Sequence, residues 1–92
     1  MIVRISTEDQ YRLPDEVAER LNALDNEAVQ AVEGGDEGRF QELFQQMLDL
    51  VRSEGHRLDE DDLEGSDVIL PPPDLSFDEA RGEFSGDGLI PD

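Results

Sequence analysis

The sequence predicts an α+β fold, in which an antiparallel helical hairpin packs on a small β-sheet and a short C-terminal helix follows. Apolar residues recur at helical spacing between Pro14 and Ser53, on both sides of Gly34-Gly35-Asp36. β-Branched residues dominate the first six positions and recur in the run Asp67 to Leu70. A capping sequence at Ser76 marks the start of the third helix.

The first helix of the hairpin is predicted by one apolar stripe, formed by Val17, Leu21, Leu24, Ala28 and Val32. Pro14 suits a helix start, because its missing N–H would have no partner there. Asp15 and Glu16 place negative charge at the positive end of the helix dipole. Gly34 or Gly35 can adopt the left-handed conformation that ends a helix. The connection is short, so the next helix should lie antiparallel to this one.

The second helix carries a wider apolar face, made by Phe40, Leu43, Phe44, Met47, Leu48 and Val51. Asp36 is the expected N-cap and Gly55 the expected C-cap. The width of the face predicts contact with both the first helix and the sheet. Alternatively, part of this wide apolar face forms a surface for a homodimer or another partner.

The sheet is predicted from an N-terminal hairpin and a later strand. The hairpin occupies residues 1–13, with Tyr11 and Leu13 on one face. His56-Arg57-Leu58 is interpreted as a short extended piece. The later strand lies near residues 67–70 and ends at three consecutive prolines, which give a rigid exit from an edge strand.

Ser76 and Glu79 form a capping-box pattern, so the third helix should begin at Phe77 and end before Gly86. Phe77, Ala80 and Phe84 should then face inward. The apolar run Leu89-Ile90-Pro91 predicts a tail that docks on the body. We therefore expect a single domain over 1–92. It divides into a β-hairpin (1–13), a helical hairpin (14–54), and a segment of acidic loop, strand, proline turn, short helix and docked tail (55–92).

The chain is strongly acidic, with 25 carboxylate side chains, 7 arginines, no lysine and a formal net charge of −18. Such a field repels nucleic acid phosphates and anionic lipid headgroups, so direct binding to either is not expected. Adaptation to a salt-rich cytoplasm explains the composition better than GC-rich coding, which would only exchange lysine for arginine. A basic partner is the remaining explanation.

The chain has few residues of the types that carry out catalysis or bind metals. The chain has no cysteine and one histidine, His56, which is interpreted as a surface side chain at a helix end. The acidic cluster from Asp59 to Glu64 fails the EF-hand pattern, because Glu64 stands where the glycine should be. We therefore expect no catalytic residue, no metal and no cofactor. No run approaches the roughly 18 apolar residues of a membrane span, and the start lacks a secretory signal, so a cytoplasmic location is expected.

Several segments together resemble the PspA-associated protein family. They are Met1 to Glu8, Gln10 to Leu13, Leu21 to Asn26, Ser66 to Pro72, Phe77 to Arg81 and Gly86 to Pro91. The resemblance covers essentially the whole chain. It implies an accessory protein of the phage-shock, or envelope-stress, response. The implied partner is phage-shock protein A (PspA) or a similar helical, membrane-remodelling protein.

The resemblance supplies no catalytic residues, so the hypothesis is a non-enzymatic adaptor that meets the membrane only through its partner. The alternative hypothesis is an acidic regulator that mimics nucleic acid or controls transcription. The candidate contacts for charge are Asp59, Glu60, Asp61 and Asp62. The candidate contacts for a strand or groove are Val68, Ile69 and Leu70.

Overall fold

The computed structural model describes residues 1–58, 65–84 and 88–89, and within them the chain is α+β, as predicted. The three helices are α1 (Asp15–Glu33), α2 (Glu37–Glu54) and α3 (Phe77–Glu83). The four strands are β1 (Ile2–Ile5), β2 (Gln10–Arg12), β3 (His56–Arg57) and β4 (Val68–Leu70). No helix in the described part of the chain is long and apolar enough to cross a membrane.

The four strands form one mixed sheet in the order β3-β2-β1-β4. The predicted hairpin is β1 with β2, and β3 extends it antiparallel. The predicted later strand, β4, pairs parallel with β1 on the other side. β3 and β4 therefore occupy the two ends of the sheet, and each has only one strand neighbour among the described residues.

α1 and α2 form the expected helical hairpin. Gly35 adopts a positive φ of 72° at the turn, where a side chain would be strained. The Asp36 carboxylate then accepts the backbone N–H of Arg39 at 3.1 Å, as expected of an N-cap. Gly55 ends α2 in an extended conformation, so it is a C-cap without the left-handed geometry.

One core joins the helices to the inner face of the sheet. Side chains from β1 and β4 that point inward, among them Val3, Ile5 and Leu70, are buried in it with the apolar faces of α1 and α2. The alternation along β1 and β4 leaves Arg4 and Ile69 on the opposite, outer face.

α3 closes the core with an aromatic cluster. The Phe84 ring lies 5.0 Å from the Phe40 ring and 5.9 Å from the Phe44 ring, both edge-to-face. The capping box is present, because Ser76 Oγ accepts the Glu79 N–H and the Glu79 carboxylate accepts the Ser76 N–H. Ala80 and Phe84 are buried as predicted, whereas Phe77 is half-buried.

The inward stripe of α1 differs from the prediction at one turn. Leu24 was expected inside, but it is only half-buried, while Asp25 is completely buried. The steps from Leu21 to residue 25 and on to Ala28 are four and three residues, which also satisfies the helical period. Leu24 was placed on the inward stripe because its side chain is apolar, but the helix directs Asp25 inward instead.

Candidate interaction surface

The exposed face of β4 is the most unusual apolar feature of the surface. Ile69 is 60% exposed, and no other large hydrophobic side chain among the described residues is classed as exposed. Its neighbours Val68 and Leu70 point into the core and are buried. Since β4 ends the sheet, the edge away from β1 has no strand partner in the described part of the chain. An exposed apolar residue on such an edge favours pairing with another chain.

Arg4 lies beside Ile69 on the outer face, because the two residues are register partners in the β1–β4 pair. Arg4 is exposed, and no described carboxylate forms an ion pair with it. We call the backbone of β4 with the side chains of Ile69 and Arg4 the edge surface. It offers backbone hydrogen-bonding groups, one apolar side chain and one guanidinium within two strands.

The charge of the described residues is distributed unevenly between the layers. All three helices expose carboxylates, for example Glu19 on α1, Glu42 on α2 and Asp78 on α3. The exposed charges on the strands are instead those of Arg4, Arg12 and Arg57. The edge surface therefore belongs to the less acidic layer of a very acidic chain.

The turn between β1 and β2 is tied to two other elements by ion pairs. Arg52 of α2 binds both carboxylate oxygens of Glu8, at 3.2 and 2.5 Å. Arg57 of β3 lies 3.0 Å from the Asp9 carboxylate. The hydrogen bond from Arg52 to Glu8 raises the pKa of the guanidinium. We call the Glu8–Arg52 and Asp9–Arg57 pairs the turn contact.

Thr7, in the same turn, has a φ of 70°. This left-handed conformation is costly for a β-branched residue. The chain accepts strain here, at the end of the sheet where Ser6 donates its N–H to the Leu70 carbonyl at 2.9 Å. The strained turn is therefore joined directly to the end of β4.

Asp25 is the one site that sequence reasoning missed. Both oxygens of its buried carboxylate accept the backbone N–H of Leu89, at 3.1 and 3.0 Å, across 64 residues of chain. A signal was present in the sequence, because residue 25 falls on the helical stripe between Leu21 and Ala28. We call the contact of Asp25 with Gly88 and Leu89 the tail contact.

The candidate contacts from the sequence fall into two groups. Asp59, Glu60, Asp61 and Asp62 lie outside the described residues. Val68, Ile69 and Leu70 form β4, and only Ile69 directs its side chain to solvent. His56 is exposed on β3. Ile90 and Pro91, from the tail that was predicted to dock, also lie outside the described residues.

A catalytic site needs a depression in the surface in which reactive side chains converge. One of about 470 Å³ lies between α1 and α2, where Arg20 faces Asp49 and Glu54. Its hydroxyl, Ser53 Oγ, donates to the Asp49 carbonyl at 2.7 Å. No group of three or more His, Cys, Asp or Glu side chains in the described ranges is arranged to hold a metal ion. The edge surface and the tail contact are thus the features that invite a functional interpretation.

Comparison with known proteins gave one match. A family described as PspA-Associated protein matches residues 1–92, the whole chain. No curated protein and no solved structure matches.

Proposed function

Because the chain belongs to the PspA-associated protein family, we propose that it is a non-enzymatic adaptor that binds or regulates PspA in the envelope-stress response. The observation that carries the proposal is the exposed Ile69 at the centre of an edge strand. A large apolar side chain held in water on a strand edge is a liability unless a partner covers it. The family match suggests PspA as that partner.

The contact has a strand-like or groove-like part. A segment of PspA aligns along the free edge of β4 and hydrogen-bonds to its backbone. Val68 and Leu70 contribute through their backbone, since their side chains are buried. Ile69 packs against an apolar residue of the partner, and Arg4 receives a carboxylate beside it. Backbone pairing supplies affinity, and these two side chains supply specificity.

The contact also has an electrostatic part, formed by Asp59, Glu60, Asp61 and Asp62. These four carboxylates attract a basic segment of PspA and raise the association rate more than they slow dissociation. The adaptor acts in the cytoplasm and approaches the membrane only through its partner. The nucleic-acid mimic shares the acidic surface, but it gives no role to an exposed apolar residue such as Ile69. The adaptor is therefore the hypothesis that the edge surface favours.

The test is co-purification of PspA with the tagged chain from cells that express both proteins. Ile69→Glu should reduce the recovered PspA at least tenfold, because it places a charge in the centre of the apolar contact. Gln46→Glu is the matched control, since it adds the same charge on the exposed face of α2 and should recover as much PspA as the wild type.

Two results would contradict the proposal in different ways. If the wild type recovers no PspA, the adaptor function is wrong. If the wild type and Ile69→Glu recover PspA equally, the function stands and the edge surface is not the contact. Recovery of a DNA-binding protein in place of PspA would support the mimic.

A further inference from the structure

The buried carboxylate of Asp25 requires an explanation that the adaptor function does not provide. Asp25 has no exposed surface in a chain whose other described carboxylates all reach solvent. Burying a carboxylate is costly unless hydrogen-bond donors satisfy its oxygens. The backbone N–H of Leu89 lies within 3.1 Å of both oxygens, so the C-terminal segment provides such a donor. The contact with Leu89 therefore offsets part of the cost of burying Asp25.

The geometry around Gly88 shows how closely this segment fits. Gly88 has a φ of 81°, which side chains rarely adopt. A Cβ at this position would also lie only 2.6 Å from Asp25 Oδ2, closer than van der Waals contact allows. The position before the donated N–H therefore favours glycine, because any other residue would need a strained backbone and a shift of the Asp25 side chain.

The residue that donates the N–H is selected by its side chain as well. Leu89 is half-buried and packs against the hydrophobic core. The site therefore combines a buried carboxyl acceptor, a position that favours glycine and an apolar contact. These three features define a ligand: a peptide segment in which glycine precedes an apolar residue.

We propose that Asp25 is the centre of a peptide-binding site for a Gly-apolar segment, and that the chain's own Gly88-Leu89 occupies it as an intramolecular ligand. Tethering gives this ligand an effective concentration in the millimolar range, so a free peptide competes poorly with the intact tail. Weakening the resident segment opens the site to the same sequence supplied in trans. This inference does not depend on PspA binding.

The first measurement is hydrogen exchange of the Leu89 amide, followed by NMR in the full chain. Asp25→Ala and Gly88→Ala should each speed this exchange at least tenfold, since one removes the acceptor and the other removes the fit. Asp25→Leu keeps roughly the size of the side chain, removes both acceptor oxygens and serves if Asp25→Ala does not fold. Gly38→Ala is the matched control, because its new methyl group meets nothing closer than 4.0 Å, and it should leave the Leu89 amide unchanged.

The second measurement adds a synthetic peptide with the sequence of residues 85–92 to the ¹⁵N-labelled Gly88→Ala chain. Saturable shifts of the Asp25 amide are expected. They should be at least tenfold weaker with a peptide that carries alanine in place of the glycine before leucine, and with the Asp25→Leu/Gly88→Ala chain. Equal binding to both chains, no binding to either, or unchanged Leu89 exchange in the Asp25 variants would overturn the inference.

Discussion

The tail contact and the turn contact both join distant parts of this chain through carboxylates, and they lie in opposite environments. In the tail contact, Asp25 is fully buried and binds the Leu89 backbone. In the turn contact, Glu8 binds Arg52 with about a third of each side chain exposed, 30% and 34%. Water competes for Glu8 but not for Asp25. The hydrogen bond from the neutral Leu89 amide to Asp25 should therefore contribute more to stability than the ion pair between Glu8 and Arg52.

The largest effect is expected where the C-terminal region meets the core. Phe84→Ala should lower the free energy of unfolding by about 3–5 kcal/mol, because it removes a buried ring that contacts Phe40 and Phe44. Denaturant unfolding measures this. Phe77→Ala, at the start of α3, is the control, and its cost should be clearly smaller because Phe77 is half-buried. Equal costs would mean that α3 does not anchor the C-terminal region.

Asp25→Ala comes next. It should lower the free energy of unfolding by about 2 kcal/mol, because the partly buried Leu89 N–H loses its acceptor. Chemical denaturation with the neighbouring exposed Asn26→Ala as control checks it. A loss no greater than that of the control would show that the tail contact does not stabilise the fold more than the turn contact does.

Arg52→Ala tests the turn contact and should cost about 0.5–1 kcal/mol, the range for a partly exposed ion pair. Salt screens such a pair, so the difference from the wild type should shrink in molar salt. Thermal unfolding at two salt concentrations is the measurement. Arg39→Ala is the matched arginine, and it should cost less because its carboxylates lie at 3.6 and 3.9 Å. A loss as large as that of Asp25→Ala would reverse the comparison.

The smallest effect is a gain. Thr7→Gly should stabilise the chain by about 0.5 kcal/mol, because relief of the left-handed strain exceeds the added chain entropy. Thr7→Ala removes the β-branch but retains the Cβ, so its gain should be smaller than that of Thr7→Gly. Melting temperatures of the three proteins decide this, and a destabilised Thr7→Gly would show that the Thr7 side chain contributes more than its strain costs.

The helical hairpin was predictable because its apolar residues repeat at one period and its turn contains glycine followed by a capping aspartate. The α3 start at Ser76 was equally clear from its capping box. The parallel pairing of β4 with β1 was not predictable, since three-residue strands carry no signal for their neighbours. The burial of Asp25 was not predicted, because the neighbouring Leu24 is apolar and also fits the helical spacing of the inward stripe. Its partner lies 64 residues away, at a distance where sequence periodicity gives no information.

The edge surface was predicted in part, since Val68, Ile69 and Leu70 were named as candidate contacts. That only Ile69 faces solvent depends on which face of β4 meets the core, and this follows from the pairing with β1. The position of Arg4 beside Ile69 depends on the same register.

Hydrogen exchange of the chain with and without purified PspA, followed by mass spectrometry, tests the adaptor account most directly. We predict that peptides containing residues 68–70 gain protection on addition of PspA, while peptides from the middle of α1 do not change. Binding of PspA that leaves residues 68–70 unprotected and protects another surface would contradict the account.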